Sequence, residues 1–286
     1  MVTILPQNIL LVDKPKGITS FDCIRILRKK LNIRKMGHAG TLDPMATGLM
    51  IIGVGDGTKK LHEFLKLDKA YEAEILLGVK TDTGDITGKI LEELPISNSQ
   101  FSNNDSISKI SNEEMEKILQ TMIGKLELPV PAYSAIKRGG EALYKKARRG
   151  EVVDTPIKTM EITSVEFLGL KILPLKKGGD PKGEGFPPLP PPLLPEEVPS
   201  LRGGEVLKEG IEGWLKSSAS EDGGTSFNKG GISLPIISAR FDVTSGTYIR
   251  SLAEEFGRRL GVPATLAGLR RTRIGEYKVE DAEGLK

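Results

Sequence analysis

The sequence predicts a protein in which β-strands alternate with amphipathic helices. Two segments, 69–79 and 233–243, place apolar residues at every second position, as half-buried strands do. Two others, 19–31 and 111–122, place them at helical spacing behind a capping pattern. Periodicity establishes this alternation, and it does not determine how the elements are arranged.

A strand and a helix are predicted near the N-terminal end. The apolar run 9–13 indicates a short buried strand, ended by the turn sequence KPKG. Thr19 and Asp22 form the capping-box pattern of the helix that follows. Its apolar residues are expected to face the core and its cations to face solvent. The apolar set is Phe21, Ile24, Leu27 and Leu31, and the cations are Arg25, Arg28 and Lys29.

The later elements follow the same two periodicities. A short helix is predicted over 61–65, a polar loop over 97–111, and a strand over 160–168. The strand at 69–79 should bury one face, formed by Tyr71, Ala73, Ile75 and Leu77. The helix that begins after Ser111 and ends at Gly124 should bury Met115, Ile118, Leu119 and Met122. The last helix should bury Ile249, Leu252, Phe256 and Leu260.

Composition excludes several classes of protein. With 286 residues, 38% of them hydrophobic and 28% charged, the chain has the profile of a soluble globular protein. It has no apolar run of the roughly 18 residues that a membrane span needs, and no leader pattern, which favours the cytoplasm. The single cysteine, Cys23, excludes an internal disulfide and a cysteine zinc site, and two histidines leave little material for a metal.

Positive charge is clustered although the net charge is only +3. Taken singly, each cluster is more often a solvated face than a phosphate-binding surface. The clusters comprise Arg25, Arg28, Lys29, Lys30, Arg34 and Lys35; then Lys137, Arg138, Lys145, Lys146, Arg148 and Arg149; and finally Arg270, Arg271 and Arg273. Three such clusters in one chain are consistent with a surface that binds a nucleic-acid backbone.

One segment breaks the pattern of strands and helices. Residues 172–200 hold nine of the 18 prolines, and residues 201–231 are rich in glycine and serine. Such a composition gives no periodic apolar face, so we interpret 172–231 as an irregular insertion between two strands. A proline-rich docking site is the alternative interpretation.

The stretch KMGHAGTLDPMATGLMIIGVGDGTKK, at 35–60, presents one carboxylate on a stiff turn. Gly37, Gly40 and Pro44 surround Asp43, and Pro44 disfavours the helical region for the residue before it. Local chemistry alone favours a turn residue that bonds its own backbone.

The whole string GHAGTLDPMATGL resembles the signature loop of the TruB family of tRNA pseudouridine synthases. Three further stretches match the same family, namely PAYSAIKRGGEALYKKARRGE, TSGTYIRSLAEEFGRRLG and LAGLRRTRIGEY. The family converts the uridine at position 55 in the T-arm of tRNA to pseudouridine. The resemblance implies an α+β protein with the pseudouridine synthase fold: a mixed, mainly antiparallel sheet, flanking helices and a central active-site cleft.

The resemblance also implies roles for individual residues. Asp43 would be the catalytic nucleophile, Tyr71 would stack on the target base, and Arg250 would form an ion pair with Asp43. Leu269 would line the uracil pocket, and His38 would fill the place that the extruded base leaves. A loop histidine that caps a backbone group is nearly as good an interpretation of His38. Contacts with the tRNA backbone are expected from Lys59, Lys145 and Arg148.

These implications define one hypothesis and two rivals. The hypothesis is a monomeric tRNA-modifying isomerase that needs neither metal, cofactor nor membrane, built as one catalytic domain over 1–286 with the insertion inside it. The further carboxy-terminal RNA-binding domain of many family members would be absent or cut off. One rival is a catalytically silent RNA-binding or RNA-folding protein. The other is a hydrolase that uses a carboxylate on a sugar, which requires a second acidic residue.

Overall fold

Ten strands form one mixed sheet in a computed structural model of the chain, which describes residues 4–93, 111–174 and 233–285. The strands of the chain are β1 (Ile9–Lys14), β2 (Met36–His38), β3 (Thr47–Val54), β4 (Lys69–Leu77), β5 (Val79–Thr81), β6 (Ile90–Glu93), β7 (Gly124–Pro129), β8 (Lys137–Arg138), β9 (Glu141–Ala142), β10 (Ile157–Pro174), β11 (Ser233–Val243), β12 (Ala264–Ile274), β13 (Tyr277–Lys278) and β14 (Glu283–Gly284). Neighbouring strands of the main sheet follow the order β14-β1-β3-β12-β4-β11-β10-β7, with β2 paired to β3 and β13 to β12. Strands β5 and β6 pair with each other outside this sheet, and so do β8 and β9.

Helices flank this sheet. They are α1 (Ser20–Leu31), α2 (Leu61–Leu65), α3 (Asn112–Gln120), α4 (Leu143–Arg148) and α5 (Ile249–Leu260). Of the strand pairs in the main sheet, β1 with β14 and β3 with β12 are parallel, and the others are antiparallel. This arrangement confirms the α+β class and the mixed, mainly antiparallel sheet.

Helix α1 corrects one prediction made from the sequence. The capping box is present: the Thr19 side chain accepts from the Asp22 backbone N–H, and the Asp22 carboxylate accepts from the Thr19 N–H at 2.8 Å. Phe21, however, is 55% exposed. The buried stripe instead begins at Ser20 and continues through Ile24 and Leu27. Residues i, i+4 and i+7 share one helix face, and Phe21 lies about 100° around the helix from Ser20.

The centre of the sheet is formed by β4, with β11 on one side and β12 on the other. The expected buried face of β4 is confirmed. On this strand, Tyr71 pairs with Phe241 of β11 on one side and with Arg271 of β12 on the other. Strand β3 pairs with β12 in parallel, on the edge of β12 that faces away from β4. A Cβ on Gly48 would lie 2.3 Å from the Arg271 carbonyl oxygen, and its φ is +105°, so only glycine permits this pairing.

The remaining helices begin close to where the sequence predicts, but α3 ends earlier than predicted, at Gln120. Gly124, the predicted end of the helix, is instead the first residue of β7, because the chain turns here to pair with β10. The hydroxyl of Ser111 accepts from the Glu114 backbone N–H at 3.2 Å at the start of α3, while Gly261 ends α5 with a left-handed φ of +78°. Leu252 and Phe256 of α5 are fully buried, and Leu260 is partly buried. The polar loop predicted over 97–111 lies, apart from its last residue, outside the described residues.

Strands β10 and β11 form an antiparallel pair whose last register positions are Pro174 and Ser233. Residues 172–174 therefore belong to β10, which corrects the start of the predicted insertion. The rest of the predicted insertion, 175–231, lies outside the described residues, as does residue 232. The chain leaves and re-enters the sheet at directly opposed backbone positions, so a short hairpin turn can join the two strands.

Replacing residues 175–232 with a four-residue glycine-rich turn should leave the melting temperature within about 3 °C of the parent value. The sequence of this segment has no periodic apolar face, and loop-closure entropy rises only slowly with loop length. Thermal unfolding of both proteins, followed by circular dichroism, measures the difference. A loss of 1 kcal/mol corresponds to roughly 2–4 °C for a chain of this size, so a larger drop would mean that the segment stabilises the fold.

Candidate active site

A cavity of about 330 Å³ opens at the middle of the sheet. It is lined by residues of the Asp43 loop, by β4 and β12, by the segment 133–135, and by residues 243–250, which run from the end of β11 into the first turn of α5. Parts of the chain far apart in sequence meet here. The expected central cleft is therefore present, and its size suits a single base with its sugar.

Asp43 lies on the loop between β2 and β3, and this loop rests on the turn between β1 and α1. The Pro44 carbonyl accepts from the Gly17 N–H at 2.8 Å and from Lys14 Nζ at 3.3 Å. Lys14 is fully buried, and its ammonium also donates to the carbonyls of Pro15 and Ile18. In the described part of the chain, the Asp43 carboxylate has no hydrogen bond to its own loop. It is therefore not the self-bonded turn residue that local chemistry favours.

Arg250 lies opposite Asp43, in the first turn of α5. Its Nη2 is 3.2 Å from Asp43 Oδ2, so the expected ion pair is present. The guanidinium donates to the carbonyls of Thr83 at 2.8 Å and Tyr133 at 3.0 Å. Its side chain is 8% exposed, while that of Asp43 is 37% exposed toward the cavity. The cation is thus held rigidly, and the carboxylate remains accessible.

Asp85 is a second carboxylate beside Arg250 that is not among the site residues predicted from the sequence. Its Oδ2 is 3.8 Å from Arg250 Nη1. Its Oδ1 accepts from the Thr83 hydroxyl at 2.9 Å and from the Thr87 hydroxyl at 2.6 Å. The residue is 4% exposed and does not line the cavity. The available signal was its position between two threonines in TDTGDITG, a pattern in which a carboxylate bonds local hydroxyls.

The floor of the cavity is formed by side chains of the central strands. Tyr71, 8% exposed, and Leu269, partly buried, both line it, as the sequence analysis expected. From the sequence, Arg271 is expected only as part of a basic surface cluster, but in the structure it is 1% exposed. Its Nε donates to the Leu49 carbonyl at 2.7 Å, and Nη2 lies 3.5 Å from the Gly40 carbonyl. This arginine is part of the core beneath the Asp43 loop and is not on the surface.

Four of the expected substrate-binding residues lie outside the cavity lining: His38, Lys59, Lys145 and Arg148. His38 is the last residue of β2, just before the Asp43 loop, and burial lowers the pKa of its imidazole. Lys59 is exposed and pairs with Asp56 at 3.1 Å. Lys145 and Arg148 are exposed on α4, where the Arg148 guanidinium lies 5.5 Å from the centre of the Tyr144 ring.

The charges around Asp43 oppose one another. Burial raises the pKa of the Asp43 carboxyl above its usual value, and the Arg250 guanidinium lowers it. Asp85 raises the Asp43 pKa further, because its negative charge disfavours a second one nearby, and Lys14 lowers it. The net effect is an increase in the pKa. Arg250 therefore offsets only part of the cost of burying this charge.

No helix among the described residues is long and apolar enough to cross a membrane. The same residues contain no group of three or more histidine, cysteine, aspartate or glutamate side chains arranged to hold a metal ion.

Several solved structures have a similar fold. One is a Cbf5-Nop10-Gar1 complex, with a TM-score of 0.53 and 21% sequence identity, covering 97% of this chain and 52% of that chain. Another is an H/ACA RNP bound to a substrate RNA containing 2'-deoxyuridine, with a TM-score of 0.52 and 19% identity, covering 98% of this chain and 51% of that chain. Since the identities are low, these likenesses establish the fold alone.

Sequence comparison identifies closer relatives. The chain is 33% identical over 276 residues to the tRNA pseudouridine synthase B of Aromatoleum aromaticum, covering 96% of this chain and 66% of the relative. It is 33% identical over 300 residues to the enzyme of the same name from Bifidobacterium longum, covering 100% of this chain and 67% of the relative. The chain thus spans about two thirds of the length of these relatives. Residues 28–173 match the family model described as TruB family pseudouridylate synthase, N terminal domain. The chain therefore belongs to the TruB family of pseudouridylate synthases.

Proposed function

We propose that this chain isomerises the uridine at position 55 in the T-arm of tRNA to pseudouridine. The observation that carries the proposal is the accessible Asp43 carboxylate, 3.2 Å from a buried Arg250 in the lining of a cavity that suits a base with its sugar. The names of the relatives, tRNA pseudouridine synthase B, support the substrate class.

The reaction breaks the bond between N1 of uracil and C1' of the ribose, and forms a bond between C5 and C1'. The C5 proton leaves, and N1 gains a proton, so the base is rearranged without any net change in composition. The step at the sugar calls for an ionised carboxylate in a closed site, which attacks the carbon or stabilises positive charge on the sugar. Asp43 is suited to this task because it faces the cavity and has no hydrogen bond to its own loop.

Arg250 keeps the carboxylate charged in an environment that favours the neutral acid. The two carbonyls and Asp85 hold the guanidinium in place, so that it does not have to reorganise when charge changes at Asp43. The two carboxylates share one cation. We infer that this sharing leaves the Asp43 charge incompletely neutralised and available to the sugar.

Tyr71 and Leu269 are positioned to receive the base. An aromatic ring offers a stacking surface to a pyrimidine, and a leucine beside it excludes water. The target base must leave the stacked T-arm, which costs a few kcal/mol. His38 precedes the Asp43 loop, and its lowered pKa favours the neutral imidazole, which stacks on neighbouring bases without requiring a counter-charge. We propose that it occupies the place that the base leaves.

The hydrolase alternative needs a second carboxylate that faces the sugar. Asp85 is near enough to be considered, but its oxygens bond Thr83 and Thr87 and lie beside Arg250, away from the cavity. This arrangement favours a supporting role for Asp85. Release of tritium from a tRNA transcript labelled at C5 of uridine tests the isomerase directly. A transcript with cytidine at position 55 should release none above background, and equal release from both would contradict the assigned position.

Asp43→Asn should reduce pseudouridine formation to less than about one hundredth of the wild-type rate, because the amide removes the charge while keeping the volume. Binding of tRNA should stay near wild type. Since the raised pKa means that the ionised carboxylate disfavours the folded state, the melting temperature at pH 7 should be equal or higher. This difference should shrink as the pH falls through the Asp43 pKa. Residual activity above one hundredth would refute the nucleophile assignment.

Arg250→Ala should lower the single-turnover rate by more than about 100-fold, because Asp43 and Asp85 lose the cation that they share. The matched control is Arg258→Ala on the same helix. Its side chain is 71% exposed and pairs with Glu255, away from the cavity, so its rate should equal that of wild type. Rapid-quench measurement of tritium release compares the two variants. An Arg250→Ala rate above a tenth of wild type would mean that the ion pair is dispensable.

Lys145→Ala combined with Arg148→Ala should weaken the binding of any tRNA and reduce the slope of log affinity against log salt by about 1 to 2 units, because phosphate contacts release counterions. The control is Lys117→Ala combined with Lys125→Ala, which removes the same charge from two other exposed positions. These lysines flank Thr121, which bonds Arg259 at the C-terminal end of α5, the end opposite to Arg250. Filter binding at several salt concentrations measures both slopes. Equal slopes for the two double variants would mean that α4 is not part of the RNA-binding surface.

A further inference from the structure

We propose that Ser20 is a positioning residue for Asp43: its hydroxyl fixes the backbone on the N-terminal side of the nucleophile and so sets the distance between Asp43 and Arg250. This inference rests on the proposed function, because it assigns a part in the same reaction. Ser20 is the first residue of α1, and it takes the buried position that sequence periodicity had given to Phe21.

The Ser20 hydroxyl bonds both polar groups of one backbone residue. Its Oγ accepts from the Leu42 N–H at 2.8 Å and donates to the Leu42 carbonyl at 3.0 Å. Ser20 is 2% exposed and Leu42 is 3% exposed, so water does not compete for these bonds. The Leu42 carbonyl belongs to the peptide group that joins Leu42 to Asp43. Holding that carbonyl therefore holds the peptide plane from which the Asp43 side chain projects.

Three consecutive carbonyls are held in this way. The Leu42 carbonyl bonds Ser20, the Asp43 carbonyl accepts from the Ala46 N–H at 3.0 Å, and the Pro44 carbonyl accepts from Gly17 and Lys14. The Asp43 carboxylate itself has no bond to the loop, so nothing within the loop directs it toward Arg250. Its direction depends on the backbone, and on the N-terminal side of Asp43 the backbone depends on Ser20.

Helix capping does not account for the Ser20 hydroxyl. Thr19 and Asp22 already form the complete capping box of α1. Within the described residues, the bonds of the Ser20 side chain go to Leu42 alone. A serine at this position thus links the first turn of α1 to the loop that carries the nucleophile, across 22 residues of sequence.

The test is Ser20→Ala in the full chain, assayed by single-turnover tritium release from C5-labelled tRNA. We expect a rate about 10- to 100-fold below wild type, since a displacement of about 1 Å costs on this order, with tRNA affinity within about twofold. Thr265→Val is the control. Thr265 is 0% exposed and does not line the cavity, and its hydroxyl lies 3.0 Å from the Thr81 hydroxyl, so this variant loses a buried hydrogen bond away from the Asp43 loop while keeping the volume. Its rate should stay near wild type at a temperature where both variants are folded.

The pH profile separates positioning from a loss of stability. Activity requires ionised Asp43, so the rate falls as the pH drops through the Asp43 pKa. If Asp43 moves away from Arg250, the effect that lowers this pKa weakens, and the acidic limb of the Ser20→Ala profile shifts to higher pH. A variant that was only less stable would keep the wild-type limb.

A Ser20→Ala rate within about threefold of wild type, or an unshifted acidic limb, would overturn the proposal. If the alanine variant does not fold, Ser20→Cys replaces it, because a thiol keeps the volume and forms weaker hydrogen bonds. A Ser20→Cys enzyme with the wild-type rate and limb would overturn the proposal equally. A wild-type chain that releases no tritium would instead refute the proposed function, so the two failures are distinguishable.

Discussion

The buried guanidinium of Arg250 determines how the groups of the candidate active site are arranged. The Arg250 guanidinium lies between two carboxylates and bonds two backbone carbonyls, at Thr83 and Tyr133. A guanidinium stays protonated in a protein interior, and its planar set of donors suits several partners at once. It therefore acts as a fixed positive centre to which separate loops attach. Burial raises the Asp43 pKa more than this cation lowers it, and the negative charge of Asp85 raises it further, so the ionised Asp43 carboxylate remains unfavourable in the folded protein.

The sheet supplies the rigidity that this centre needs. Strand β3 can lie against β12 only because Gly48 has no side chain to meet the Arg271 backbone. That contact brings the loop preceding β3 over the central strands, next to Tyr71 and Leu269. Arg271 then supports the loop from below through Leu49 and Gly40, while the turn between β1 and α1 supports it from the side. Asp43 is carried by a loop, but that loop is anchored to strands on two sides.

The expected RNA contacts divide between two regions. Tyr71 and Leu269 line the cavity, whereas Lys59, Lys145 and Arg148 lie outside it on exposed surface. Exposed cations are suited to phosphates, which stay in contact with water, whereas a cavity lined by buried side chains is suited to a neutral base. The substrate proposed above, an RNA with one base turned out of its stack, is consistent with this division.

Local rules in the sequence determined the elements. A capping box marked the start of α1, a serine cap marked the start of α3, and alternation predicted the buried face of β4, because each of these depends on residues within one or two turns of chain. The resemblance carried by long motifs pointed to Asp43, Tyr71 and Arg250. The tertiary structure alone decided which side of α1 is buried, placing Ser20 inside and Phe21 outside. It alone placed Asp85 behind Arg250 and buried Arg271 in the core. Helical periodicity fixes the angles between side chains but not the direction of the core, and the environment of a charge depends on segments that only folding brings together.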